Sequence, residues 1–359
     1  MLSPFVTQRR VLAATSLSYV LVILDTSIVN VALAPIANTL HSDITELQWV
    51  VGAYTLSFAG LLLGGGALAD RFGARRLYLI GLLLFTFASL LCGLAVDAVT
   101  LVAARVLQGV GAALLVPASL ALINAAYLHN PAGRVSAIGV WAGCGGIAMA
   151  TGPLVGGVLI EALGWRSIFF ANLPLGLLAI ALTARLAASL PHPRARGWSA
   201  LRLFGNPVFN ACLAVSLVSA LLLYGLMFLL GLYFQRTLGF SPLWTGLAFL
   251  PLTVSVSIGS LLAGRLVRAW GSGRLIGGAL VLYLAGFGLL LATAATPSRF
   301  TIIMAMPMIG LAAGLITPAA TAKLMSVVAQ KHAGIAAGML NTARQLGAAL
   351  GVALAGGLL

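Results

Sequence analysis

Acidic side chains are nearly absent: the 359 residues include six Asp and Glu against 20 Lys and Arg. Charged residues of both signs make up 7% of the chain, where a water-soluble domain carries about 25%. Such a composition cannot cover a surface facing water, which excludes a soluble enzyme or binding module. Cysteine is scarce as well. Cys92, Cys144 and Cys212 fall in three separate apolar runs without CxxC spacing, so neither a disulfide framework nor a metal site is expected. His41, His129, His192 and His332 sit in polar breaks and have no ligand spacing. A GxxxxGK(S/T) loop is missing, which argues against ATP hydrolysis. No nucleophile–base set and no paired carboxylates stand out, so an enzyme is the least expected class and no cofactor is called for.

What the chain has is apolar length. Hydrophobic residues make up 61%, with a mean hydropathy of +1.10. A membrane span needs roughly 20 apolar residues. Eleven such runs are legible, near 11–36, 47–69, 77–96, 99–127, 135–160, 167–187, 208–234, 243–267, 275–295, 300–322 and 333–357. Met1 to Arg10 reads as a short tail, and the first run is a full span lacking a signal-peptide cleavage site. The class is an all-α polytopic membrane protein.

Basic residues fall on one side of this pattern. With the N-terminus inside, the cytoplasmic breaks hold fifteen of the 20, whereas the outer breaks hold Arg166, Arg236 and Arg299. Arg105 and Arg344 lie within spans. This asymmetry predicts a cytoplasmic N-terminus, and it accounts for the net charge of +14 as a topological signal rather than a nucleic-acid surface.

The polar stretch around PHPRARGW follows six spans and reads as a linker. The predicted organisation is a six-helix bundle over 1–187, a cytoplasmic linker over 188–207 and a second bundle over 208–359. A displaced self-comparison supports two related halves. Gly66, Gly73 and Arg76 meet Gly264, Gly271 and Arg274 at one shift; Gly109, Pro117, Gly133 and Gly146 meet Gly310, Pro318, Gly334 and Gly347 at another. Parallel repeats of six helices mark transporters. The second half shows five spans, and a sixth is expected to be missing by truncation.

Three motifs carry a resemblance. GALADRFGARR between spans two and three has the pattern Gly-x-Leu-x-Asp-Arg-x-Gly-x-Arg-Arg. Taken alone it is equally a solvated loop with topogenic arginines. In span four, Leu101, Arg105, Gln108, Gly109 and Gly111 form a second set, and Arg105 and Gln108 share a helical face. An intramembrane arginine costs at least ~2.5–3.5 kcal/mol unless it snorkels or meets a partner. Span five ends Gly152-Pro153-x-x-Gly156-Gly157 and also holds Gly139 and Gly143, so two small-xxx-small pairs suit close helix packing.

Together these resemble the major facilitator superfamily. LDTSIVNVALAPI, GWRSIFFANLPLG, GLYFQRTLGFSPLWTGLAFLP and LNTARQLGAALGVA resemble its drug:proton antiporter branch, which usually has fourteen helices. The resemblance implies a conformational latch formed by Gly66, Asp70, Arg71, Gly73 and Arg75. It also implies an antiporter motif at Gly152, Pro153, Gly156 and Gly157, and a proton-transfer role for Arg105. Three departures stand out. Ala148 replaces the glycine that commonly begins the antiporter motif, Gly52 stands where many relatives carry a polar residue, and the two helices this branch inserts between the halves are absent. In the second-half copy of the loop, Arg268 replaces the carboxylate.

Asp25 is the one acid well inside a span, since Asp43, Glu46, Asp70, Asp97 and Glu161 lie at breaks. An intramembrane carboxylate is functional by default, and Arg105 is its expected counter-charge; a backbone-bonding role for Asp25 is the bland alternative. The reading is a proton-driven exporter of small lipophilic or cationic molecules working by alternating access, with the proton gradient as energy source. Its expected setting is the bacterial inner membrane, as a monomer. A proton-coupled importer or a non-transporting sensor is the competing class. For the substrate cavity, central positions offer Asn30, Tyr54, Gln108, Trp141, Tyr224, Phe228, Asn341 and Arg344. Lipid contact is an equal alternative for each aromatic taken singly.

Overall fold

The structure, a computed structural model, describes residues 4–184, 203–292, 299–328 and 333–357. Helix starts are written locally. After α1 (Pro4–Leu40), the Asp43 carboxylate accepts from the Glu46 amide at 2.7 Å while the Glu46 carboxylate accepts from the Asp43 amide, and α2 (Ile44–Phe72) follows. Gly73, at φ 95°, turns the chain straight into α3 (Ala74–Leu94). Asp97 and Thr100 form a second reciprocal cap for α4 (Ala98–Ala126). Asn130 caps α5 (Pro131–Leu163), which has proline in its first turn where a missing N–H costs nothing. The sixth predicted span divides at Ala171 into α6 (Ser167–Phe170) and α7 (Asn172–Ala184).

The second half begins with α8 (Pro207–Leu232), capped by Asn206 and ending in a π-helical turn over Tyr233–Thr237. Ser241 caps α9 (Pro242–Ala248), and a kink at Phe249 leads into α10 (Leu250–Trp270). Then come α11 (Ser272–Ala292), α12 (Arg299–Val327) and α13 (Ala333–Gly356).

Ten stretches of the described residues are long and apolar enough to cross a membrane, α6 with α7 and α9 with α10 each forming one. The eleventh predicted run forms α13, 24 residues long, but it is not among those ten. Asn341, Arg344 and Gln345 dilute its apolar character. It is sheltered by packing along α8 and α2. Most of the predicted linker, residues 188–202, lies outside the described residues.

The halves pair their helices alike. In the first, α4 packs on α2 and α3, and α1 on α5; in the second, α12 packs on α10 and α11, and α8 on α13. Two of the repeated glycine pairs hold equivalent places. Gly73 and Gly271 both have positive φ, 95° and 79°, and both close a helix with an N–H bond to the carbonyl four residues back. Gly109 lets α4 reach the α2 backbone at Tyr54, and Gly310 lets α12 reach the α10 backbone at Leu252. Large aliphatics such as Leu261, Leu284 and Leu291 are 74–79% exposed, which suits a lipid-facing surface and not water.

The two ends of the molecule differ. At the Asp97 end a single apolar core runs across both bundles, joining Val31, Val50 and Leu101 to Phe228, Phe249 and Val352. At the Gly73 end each bundle has a core of its own, one around Phe58, Phe85 and Leu122, the other around Phe209, Leu324 and Leu340.

Candidate functional site

Polar residues in the middle of α1 mostly bond their own helix. Thr26 donates to Val22 O, Ser27 to Leu24 O, and Asn30 Nδ2 to Thr26 O and Ser27 O. Asp25 has no such outlet, because a carboxylate only accepts. It turns into the first bundle, where donors from α4 and α7 meet it. Arg105 donates from Nη1 to Oδ2, while Oδ1 accepts from Gln108 Nε2 at 2.8 Å and from Asn172 Nδ2 at 3.0 Å. Gln108 and Asn172 also donate to Ser89 Oγ on α3, at 2.9 and 3.3 Å.

Arg105 is committed to this network through Nη1 and Nε. Its Nη1 donates to Gln108 Oε1 at 2.7 Å, its Nε donates to Val50 O at 3.0 Å, and Tyr54 lies under the guanidinium with Cζ 4.3 Å from the ring centre. Cys92 Sγ donates to Gln108 Oε1 at 3.7 Å. Every member is at most 2% exposed. Breaking one side of such a pair leaves a buried uncompensated charge, at about 3–5 kcal/mol. Five helices therefore meet in one network around this carboxylate, at the boundary between the shared core and the first bundle's own core.

The residues expected to form an antiporter motif sit where α5 touches both bundles. A Cβ at Gly152 would overlap Ser27 of α1, and one at Gly156 would overlap Ile28. Gly157 abuts Pro242 and Leu243 of α9, and Pro153 O lies against Gly246. Gly139 and Gly143, an identical spacing, face open space; that pair does not serve the close helix approach expected of it.

Of the residues expected to form a latch, Gly73 holds the tight turn and Gly66 lies toward Pro117 of α4. Arg71 is exposed beside the Phe72 ring. Arg75 Nη2 donates to Ala184 O at 3.1 Å, which ties α3 to the end of α7 within one bundle. The Asp70 side chain lies outside what is described.

The expected cavity residues divide. Asn30, Tyr54, Gln108 and Phe228 are at most 1% exposed and belong to packed interior: close approach of α1 to α8 encloses Asn30, the ion-pair network takes Tyr54 and Gln108, and the shared core takes Phe228. None of the four lines open space in this conformation. Tyr224, Asn341 and Arg344 remain partly exposed, and Trp141 stacks on Tyr19 with ring centres 3.7 Å apart. Sequence reasoning missed Asn172, Ser89 and Tyr19. Asn172 stands in GWRSIFFANLPLG, and its position in a resemblance segment was the one available signal.

The family model described as Major Facilitator Superfamily matches residues 15–352. The chain belongs to the Major Facilitator Superfamily. Among superfamily members, the methylenomycin A resistance protein of Bacillus subtilis (strain 168) is 33% identical over 404 aligned positions, covering 96% of this chain and 86% of the relative. The puromycin resistance protein pur8 of Streptomyces alboniger is 37% identical over 399 positions, covering 93% and 78%. Both alignments are longer than this chain's 359 residues, so the relatives carry residues within the aligned region that this chain lacks. The crystal structure of a bacterial homologue to the human lysosomal transporter Spinster, inward-facing and unoccupied, superposes with a TM-score of 0.79 at 21% identity, covering 96% of this chain and 81% of that one. The superfamily fold is thus shared well beyond sequence similarity.

Proposed function

We propose that this chain exports small molecules in exchange for protons by alternating access, with Asp25 as the proton-carrying group. The observation that carries the reading is the buried Asp25–Arg105 pair, set between the core both bundles share and the core one bundle keeps to itself. Resistance relatives covering most of the chain support the direction of transport. The arginine-rich Gly73 end is the cytoplasmic one by charge asymmetry. With one apolar core joining the bundles at the Asp97 end, this conformation is closed outside.

Protonating Asp25 removes the charge that holds Arg105 Nη1, and the guanidinium then keeps only the neutral acceptors Gln108 Oε1 and Val50 O. Helices α1 and α4 lose their strongest tie. The glycines of α5 pack against that same stretch of α1 on one side and α9 on the other, so a shift of α1 is passed to the bundle interface. Burial favours the neutral carboxyl and a nearby arginine favours the charged one, so Arg105 position and proton occupancy are linked.

Proton movement in inside-out vesicles, recorded with its direction on adding methylenomycin A, tests this. Expected are proton release from acid-loaded vesicles in wild type and its loss in Asp25→Asn with cargo binding intact. Undiminished exchange in Asp25→Asn removes the carrier role, and movement in the opposite sense makes the protein an importer.

A further inference from the structure

The second bundle contains no acidic residue, since Glu161 is the last acid in the chain. Yet α13 carries Arg344 at mid-depth. Eleven residues separate it from Ala333 at the start of the helix, roughly 16 Å at 1.5 Å per residue and farther than its side chain reaches. Among the described residues the one ion pair is Arg105–Asp25, so Arg344 has no carboxylate partner. Its Nη2 donates to Asn341 Oδ1 at 2.8 Å, a neutral acceptor one turn away that leaves the charge in place. An intramembrane charge of this kind faces a partner or a water-filled cavity.

The surroundings are donors and rings. Arg344 lies within electrostatic reach of the Tyr19 and Tyr224 hydroxyls. Tyr19 stacks on Trp141, and Gly145 one turn further along α5 leaves room for that ring. Trp141 Nε1 is buried, its residue only 7% exposed, and it has no acceptor. Helices α1 and α5 of one bundle and α8 and α13 of the other thus bring together an unpaired cation, an orphaned N–H and flat aromatic walls.

We propose that this cluster binds the carboxylate of a small aromatic acid, with Arg344 and Trp141 Nε1–H as donors and the rings holding the apolar body. The proposal rests on the export reading for its biological sense and reverses the expectation of a cationic cargo. Asp25, the one anion that would favour such a cargo, already accepts hydrogen bonds at both oxygens and is unexposed.

Dansylglycine and dansylcadaverine, similar fluorophores of opposite charge, are titrated against the full chain in nanodiscs without a pH gradient and read by anisotropy. Wild type should bind dansylglycine the more tightly. Arg344→Gln should weaken it by at least about tenfold, the low end for a charge-assisted hydrogen bond, while Arg344→Lys keeps part of the affinity. Trp141→Phe preserves the stack but removes the donor, and should weaken dansylglycine severalfold with dansylcadaverine unaffected. Preference for dansylcadaverine, absence of saturable dansylglycine binding, or unchanged dansylglycine affinity in both Arg344→Gln and Trp141→Phe overturns the proposal. Because no gradient is applied, selective anion binding without transport overturns the export reading alone.

Discussion

Asn172, the first residue of α7, donates from Nδ2 to Oδ1 of Asp25 across 3.0 Å and 147 positions of sequence. The break at Ala171 between α6 and α7 puts this amide into the bundle at the level of Ser89 and Gln108. The Asp25–Arg105 pair is therefore fixed by a third helix, and the orientation of the carboxylate depends on it.

Replacing Asn172 with Leu keeps a similar volume but removes that donor from both Asp25 and Ser89. The expected loss of stability is about 1–3 kcal/mol, the usual penalty for stranding a buried polar group. Asp25→Ala should cost more, about 3–5 kcal/mol, because Arg105 is left charged and unpaired. Denaturant unfolding in detergent compares the two. An Asn172→Leu protein as stable as wild type would show that the amide is incidental.

The two glycine pairs of α5 share a spacing and should differ in tolerance. Gly143 faces open space, so Gly143→Ala should change stability by no more than about 0.5 kcal/mol. At Gly156 a side chain meets Ile28, so Gly156→Val should cost about 1–3 kcal/mol by overpacking and depress drug resistance in cells expressing it. Equal effects at both positions would contradict the finding that one pair faces open space and the other packs on α1.

Much of this was readable from residue patterns, and the limits have physical causes. Charge asymmetry and displaced glycines identify two related halves, because membrane insertion and close backbone approach each demand a residue type at fixed places. Asp25 and Arg105 stand out because each is expensive alone. Ser89 does not, since it also donates to Phe85 O in its own helix at 2.8 Å and looks satisfied locally. Facing direction was the hardest property to infer: in runs apolar all round, nothing in the sequence says that Gly143 meets open space and Gly145 meets Tyr19. Asn30, Tyr54, Gln108 and Phe228 were likewise expected to line a cavity, but only packing shows them enclosed.

Closure at the Asp97 end offers a direct check on alternating access. Gln48 Nε2 on α2 donates to Val352 O at 3.3 Å and Ala353 O at 2.7 Å on α13, and a Cβ at Gly356 would come within 2.6 Å of Gln48 Cγ. Adding one C–C bond puts the Cβ atoms of residues 48 and 356 no more than about 4 Å apart, close enough for a disulfide to form. Mild oxidation of Gln48→Cys/Gly356→Cys should link the two bundles, detected by cleavage at a protease site placed within residues 188–207. Transport should stop on linking and return with reductant. Full transport by the linked protein would mean that this end does not open during the cycle.

Acid sensitivity should appear first at a helix start outside the spans. The Asp97 carboxyl is held below its ordinary range chiefly by the Thr100 amide, with the Thr100 hydroxyl and the Val99 amide adding to the effect. A folded-state value below the unfolded one means the cap stabilises fully above the unfolded value. That stabilisation declines as pH falls through the folded value, because protonation ends the carboxylate's acceptance from the α4 amides. Asp97→Asn keeps an uncharged acceptor at the N-cap and does not titrate. Melting temperatures of the two proteins, measured from about pH 7 down to pH 3, should converge at the acid end, with wild type the steeper across the region around pH 4. Parallel curves would place the acid-sensitive interaction elsewhere.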